Sequence, residues 1–383
     1  MKKVILSTLA ALTLSTTAAV ASEPVNVFAH ADKLKFSALA YVGYSYNDFD
    51  AKMADGTPNT REDTSQFEIR RAYLQVKGYF MENPKSYYRV TLDVHQDNKA
   101  TGGSTDGDNI LRLKYAYMYL DNILPYTGVE VGIAHRPWHD YEEHNSWYFR
   151  SISKVLIEDK NAADLSNSAD FGAMFKTKTK YFDMDAGIFN GEGYHAIQNK
   201  KGMSLEWRAT AHILGVSGKD KQNEKTYWDA SFFGQYNQKH KTADVGIPGT
   251  PILEDQDLVF GGLHTVYNQP AFLLSAQYVI SQDTSDTINV VSKQAGQGYS
   301  ANGEFRFGSD YQYRVLARYD SWTPEALTSA TEYERKNMIG GFAWDQQKNV
   351  MWVANVEKTD NDARSSRESY NGIAYMLTAE ISF

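Results

Sequence analysis

The chain has 383 residues, 39 Lys plus Arg against 47 Asp plus Glu, and a formal net charge of −8, which argues against nucleic-acid partners. It has no Cys, so disulfides, thiol catalysis and thiolate metal sites are excluded. Mean hydropathy is −0.51, yet a barrel with only alternate residues facing lipid can average to such a value.

Residues 1–21 read as a secretory signal peptide. Lys2 and Lys3 precede a short apolar core, Val4 to Leu14, and Ala19-Val20-Ala21 has the small-x-small pattern of a cleavage site. Residues 22–383 read as one domain. Beyond the leader no run of about 18 apolar residues is present, so no spanning helix is expected.

What recurs is an alternating run, a turn, and another run. Side chains of an extended chain point alternately to opposite faces. Leu34–Asn47 puts Phe36, Ala38, Ala40, Val42, Tyr44 and Tyr46 on one parity. After a polar loop near 48–64, Gln66–Phe80 returns. Tyr87–Gln96 sets Tyr88, Val90, Leu92 and Val94 against Arg89, Thr91, Asp93 and His95. Ile110–Leu120 predicts Leu111, Leu113, Tyr115, Tyr117 and Tyr119 outside, with Arg112, Lys114, Ala116 and Met118 inside. Gly128–His135 closes the first group.

The longest irregular segment follows, Arg136–Ser168. Later runs begin at Ala169, Lys180, Met203, Tyr227, Gln256, Pro270, Gly298, Tyr311, Lys336, Asn349 and Ser369. Within the final one, the stretch Asn371–Phe383 carries Ile373, Tyr375, Leu377, Ala379, Ile381 and Phe383 on one face. By itself that strand fits a soluble sheet edge equally well.

Sixteen runs joined by turns of alternating length predict an all-β, transmembrane antiparallel barrel with short periplasmic turns and long extracellular loops. Such a barrel is wide enough to enclose water. It closes because every backbone polar group within lipid must pair inside the protein. The expected location is the cell outer membrane, in contact with its lipid.

Two stretches carry a family likeness. Phe67-Glu68-Ile69-Arg70-Arg71-Ala72-Tyr73-Leu74-Gln75-Val76-Lys77-Gly78, followed by Tyr88-Arg89-Val90-Thr91-Leu92-Asp93, resembles early strands of the phosphate-selective porin O/P family. Gly187-Ile188-Phe189-Asn190-Gly191-Glu192-Gly193-Tyr194 is similar to a mid-barrel segment of that family. The resemblance implies a sixteen-stranded, often trimeric porin with an inward loop. It also implies ion transport by passive diffusion of small hydrophilic solutes, with basic side chains along the anion route. Inorganic phosphate and other anions are the candidate partners, beside a homotrimer.

Arg70 and Arg71 fall where the parity slips, which predicts a bulge aiming both inward. With Arg89, Arg112, Lys114 and Arg208 they form a candidate pore-lining basic strip. The bland alternatives are that Arg70 and Arg71 sit at the barrel rim bonding loop carboxylates, and that Arg89, Arg112 and Lys114 pair with Glu68 and Asp93 and knit the wall. Within the long segment, Arg136, His139, Glu142, Glu143, His144 and Arg150 are candidates for a constriction. The His and Glu there match no standard zinc spacing, and Pro137 opposes a zinc-binding helix. No metal, cofactor or catalytic residue is expected. No G-x-S-x-G, H-E-x-x-H or P-loop occurs. A membrane-embedded barrel enzyme or an adhesin is the alternative, and about ten strands would favour the enzyme.

Overall fold

The computed structural model describes residues 31–52, 58–59, 61–80, 82–96, 109–194, 202–218, 223–244, 253–284, 294–325, 334–361 and 371–383. The signal-peptide reading lies outside the described residues.

Sixteen strands close into one antiparallel barrel in which each strand pairs with its sequence neighbours, and β1 pairs with β16. They are β1 (Ala31–Phe49), β2 (Thr64–Phe80), β3 (Tyr87–Gln96), β4 (Asn109–Leu124), β5 (Thr127–His135), β6 (Ala169–Lys178), β7 (Phe182–Phe189) and β8 (Ser204–His212). The second half is β9 (Tyr227–Asp244), β10 (Leu253–Gln269), β11 (Phe272–Thr284), β12 (Gly296–Phe307), β13 (Tyr313–Pro324), β14 (Arg335–Gln347), β15 (Val350–Asn361) and β16 (Gly372–Ser382). Phe383 seals the ring by exchanging backbone hydrogen bonds with Ala38, at 2.7 and 3.0 Å. The number of strands departs from the ten that an enzyme barrel would have favoured.

The two faces meet different solvents. Phe36, Leu74, Tyr88, Phe171, Leu205, Leu263, Leu274, Phe305 and Val315 are exposed on the outer face. Full burial of a Leu, Val or Phe side chain is worth about 1.5–3 kcal/mol, so a face of half-exposed ones is costly in water and suited to lipid. Asp93, Asp185, Arg208, Asp229, Arg306, Arg318 and Asp320 are buried on the inner face.

One strand corrects the expected parity. Tyr115 and Tyr117 are buried, and Tyr119 joins them in packing on the inner side with Tyr87. The register explains it. Thr91 pairs with Tyr115, and the next residue, Leu92, pairs with Leu113, so Lys114 is an extra residue in β4. A bulge puts two consecutive side chains on one face and flips everything after it. Lys114 and Tyr115 both point inward, and Ala116 and Met118 face out instead of in. Gly132 lies opposite Tyr117 with φ +129°. A Cβ there would sit 2.3 Å from the Ala116 carbonyl oxygen, so only glycine fits this crossing.

Between β5 and β6 the chain turns into the lumen. Helix α1 (Pro137–Asn145) starts with proline at its first turn, where the missing N–H costs nothing. Pro137 therefore opens a helix rather than preventing one. Trp138, Tyr141, Trp147, Phe149, Ile152, Val155, Leu156, Ile157 and Leu165 form one apolar core with Phe233, Phe260, Val279, Leu316, Trp322, Ile339 and Val353 of the wall. Trp138 stacks on Phe233 at 3.7 Å and 6°. The insert thus fills the β9–β15 side of the interior and leaves space along β1–β6.

Candidate functional site

The space left over is a cavity of about 1040 Å³ at the short-turn end, bounded by β1–β6, β16, the β14–β15 turn and the insert. Eight Lys or Arg side chains line it, against four side-chain carboxylates, Glu130, Asp140, Glu143 and Glu380. Two of those acids share one base: Lys176 Nζ lies 3.3 Å from both Glu130 and Asp140. Glu143 pairs with Arg150. The surplus of bases leaves the vestibule positive.

The predicted basic strip divides into two kinds of residue. The register of β1 and β2 slips between Tyr41–Arg71 and Val42–Ile69, which makes Arg70 the bulged residue. Both arginines turn inward and both are engaged. Arg70 donates to Glu68 at 2.9 Å and to the carbonyls of Ser151 and Ile152 in the insert, at 3.1 and 3.3 Å. Arg71 donates to Asp93 at 3.1 Å, and Arg112 lies 3.6 Å from the same carboxylate. Arg208 donates to Asp185 at 2.7 Å. These four knit the wall.

Arg89 and Lys114 differ. Their partners are hydroxyls, aromatic faces and His135, and neither forms an ion pair among the described residues. Composition could not separate them from the other four, because pairing depends on registers across three strands.

The insert's candidates also sort by partner. Arg136 Nε donates to both oxygens of Glu206 at 2.9 Å, and Nη2 donates to Gln235 at 3.0 Å. Glu206 raises the guanidinium pKa further, although burial works against it. Arg150 donates to Glu158 at 2.8 Å and pairs with Glu143. Burial opposes ionisation of Glu158, yet Arg150 and Lys154 together hold it well below the ordinary carboxylate range. The His139 ring is buried and its pKa is pushed down to about 3, so it is neutral at physiological pH. His144 Nδ1 donates to the Asp140 carbonyl at 2.7 Å. Among the described residues no group of three or more His, Asp or Glu is arranged to hold a metal ion.

Beside Arg70, two further arginines hold the insert, a role that sequence reasoning did not assign to them. Arg318 donates to the Lys154 carbonyl at 2.6 Å and Arg335 to the Ala162 carbonyl at 2.9 Å. Both sit on inward parity in their strands, a signal that marks position without naming the partner.

Glu142 is a pH-sensitive point of this docking. It accepts a hydrogen bond from Gln277 and faces Arg318, Asp320 and Trp138. Burial pushes its pKa up to about 7 from an ordinary 4.5. The folded protein therefore holds this proton more tightly than the unfolded chain does. Its contribution is complete below pH 4.5 and is lost as pH rises through about 7. Protease cleavage within 146–168 is expected to accelerate as pH rises from about 4.5 to about 7 and to level off above that, and Glu142→Gln to flatten the dependence. A wild-type cleavage rate independent of pH would remove this role.

The chain matches no family model, and no curated protein matches it in sequence. Solved structures do share its fold. The trimer form of OmpT, an outer membrane protein of Vibrio cholerae, superposes with TM-score 0.62 at 12% identity, over 92% of this chain and 99% of that one. An anion-selective porin from Comamonas acidovorans gives 0.62 at 11%, over 92% and 99%. OmpF of Salmonella typhi gives 0.61 at 13%, over 92% and 98%. At these identities the likeness is one of fold: the chain is built as outer-membrane porins are built.

Proposed function

We propose that this protein is an outer-membrane porin that passes small hydrophilic solutes by diffusion and prefers anions, phosphate among them. The carrying observation is the vestibule, where bases outnumber carboxylates and two cations form no ion pair among the described residues. A wall of one sign raises the local concentration of the opposite ion and speeds its passage. The proposal includes removal of residues 1–21 on export, a single barrel domain from 22 onward, and a homotrimer. Trimeric OmpT and the anion-selective porin share the fold and support this reading. Membership of the phosphate-selective O/P family rests on the Arg70-Arg71 and Phe189–Tyr194 stretches.

The direct test is a planar bilayer with a salt gradient. Stepwise currents and a reversal potential of anionic sign are expected. Cation preference would overturn the anion half and leave the pore, and the absence of steps would overturn the pore itself. The partners add a finer expectation. Arg89→Gln with Lys114→Gln should move the reversal potential further toward cations than Arg70→Ala with Arg71→Ala, because the latter pair is already held by acids and carbonyls. The opposite order would return the selectivity role to Arg70 and Arg71.

A further inference from the structure

Arg89 and Lys114 sit in an unusual setting for charges in a barrel wall. Arg89 Nε donates to Thr91 Oγ1 at 2.9 Å, and Nη1 lies 3.4 Å from Tyr117 Oη and 3.2 Å from His135 Nε2. Lys114 Nζ donates to Tyr73 Oη at 3.4 Å and is buried. The Tyr115 ring lies beside both: Arg89 Cζ is 4.6 Å and Lys114 Nζ 5.3 Å from its centroid. His135 covers the same ring at 4.2 Å.

None of these contacts is to a carboxylate. A ring face or a hydroxyl orients a cation without cancelling its charge. Two like charges held near one ring repel each other, and a small anion bound by both relieves that repulsion. The bulge is what brings the parts together. With regular pairing Tyr115 would face lipid, and neither cation would have the ring.

We propose that Arg89 and Lys114 form a discrete subsite for a compact oxyanion (carboxylate, phosphate or sulfate) and that Tyr115 is its positioning residue. This rests on the anion reading above and locates it. The geometry makes charge selectivity depend on a neutral side chain. The ring is what matters, since neither cation hydrogen-bonds to the Tyr115 hydroxyl.

The test is block of chloride current by inorganic phosphate in planar bilayers, with acetate and sulfate in parallel arms. Tyr115→Leu is expected to raise the half-blocking phosphate concentration about tenfold, a loss typical of one misplaced charge-assisted contact. Arg89→Gln and Lys114→Gln should each do the same. Tyr115→Phe, which keeps the ring, should stay within about twofold of wild type. Circular dichroism and gel mobility before and after heating check that each barrel is folded. If Tyr115→Leu does not assemble, Tyr115→Met takes its place, and the two single cation variants still decide the subsite.

The outcomes separate. A cation-selective wild type sinks the anion reading. An anion-selective wild type that phosphate does not block sinks the subsite alone. Normal block in folded Tyr115→Leu, or equal loss in Tyr115→Phe and Tyr115→Leu, sinks the role of the ring.

Discussion

Arg318→Ala is expected to release the insert from the wall and raise the unit conductance. The Arg318 guanidinium is buried, donates to Asp320 at 2.9 Å and to the Lys154 carbonyl at 2.6 Å, and lies 4.8 Å from the centre of the Trp147 ring. Its loss leaves Asp320 buried and uncompensated, a cost of about 3–5 kcal/mol. It also removes the shorter of two hydrogen bonds to the Lys154 carbonyl, which keeps the Ser153 hydroxyl at 3.4 Å, a loss of about 0.5–1.5 kcal/mol more. The strand ladder is untouched, since β13 stays bonded to β12 and β14 through the backbone. The cost therefore falls on the docked segment. Single-channel recordings and proteolysis of residues 146–168 check it: larger steps and faster cleavage are expected together. Arg318→Met with Asp320→Leu removes both charges and loses only the carbonyl donor, so it should lie nearer wild type. Unchanged steps and unchanged protection in Arg318→Ala would mean that the apolar core alone holds the insert.

The strands were legible because lipid and water impose a period of two on the sequence. Met203–Gly215 shows why that works. Leu205, Trp207, Ala209 and Ala211 alternate with Glu206, Arg208 and His212 in the sequence, and β8 buries Glu206, Arg208 and His212 while Leu205 is exposed. Where one residue is inserted, the period says nothing about where the phase changes. In β2 the slip was visible, since Phe67 and Ile69 fall on one parity and Ala72, Leu74 and Val76 on the other. In β4 it was invisible. Leu111, Leu113, Tyr115, Tyr117 and Tyr119 keep one parity through the bulge, and tyrosine suits either the membrane boundary or a wet interior.

The site was less legible than the wall for a related reason. An inward arginine is set by its own strand, but its partner is set by registers elsewhere. Arg70 and Arg89 look alike in sequence; one clasps Ser151 and Ile152 of the insert and the other rests on Tyr115. The apolar inner face of β9–β15 was the other gap. Phe233, Phe260, Val279 and Leu316 break the expected polar interior, and they do so where α1 and the segment after it must dock. An apolar residue on lumen parity is the signal that would have revealed the seat of the insert.

Glu206→Ala should destabilise the protein more than any substitution on the outer rim. Arg136 begins the insert, and its backbone N–H donates to the carbonyl of Ser168 at 3.3 Å, so this residue ties both ends of the segment together. Its guanidinium and the Glu206 carboxylate are both buried, and Ser204 donates to the same carboxylate at 2.9 Å. Removing the acid leaves a buried guanidinium whose remaining side-chain hydrogen bond among the described residues is to Gln235, a loss of about 3–5 kcal/mol. Arg136→Met should cost a similar amount by stranding Glu206. Arg136→Met with Glu206→Leu strands neither, so the double variant should recover most of the loss, and a double-mutant cycle by urea unfolding in lipid vesicles would give a large coupling. Single losses under about 1 kcal/mol would instead describe a hydrated, rim-like pair. In that case water reaches the root of the insert, and the positive vestibule would extend across the lumen instead of ending at the β1–β6 wall.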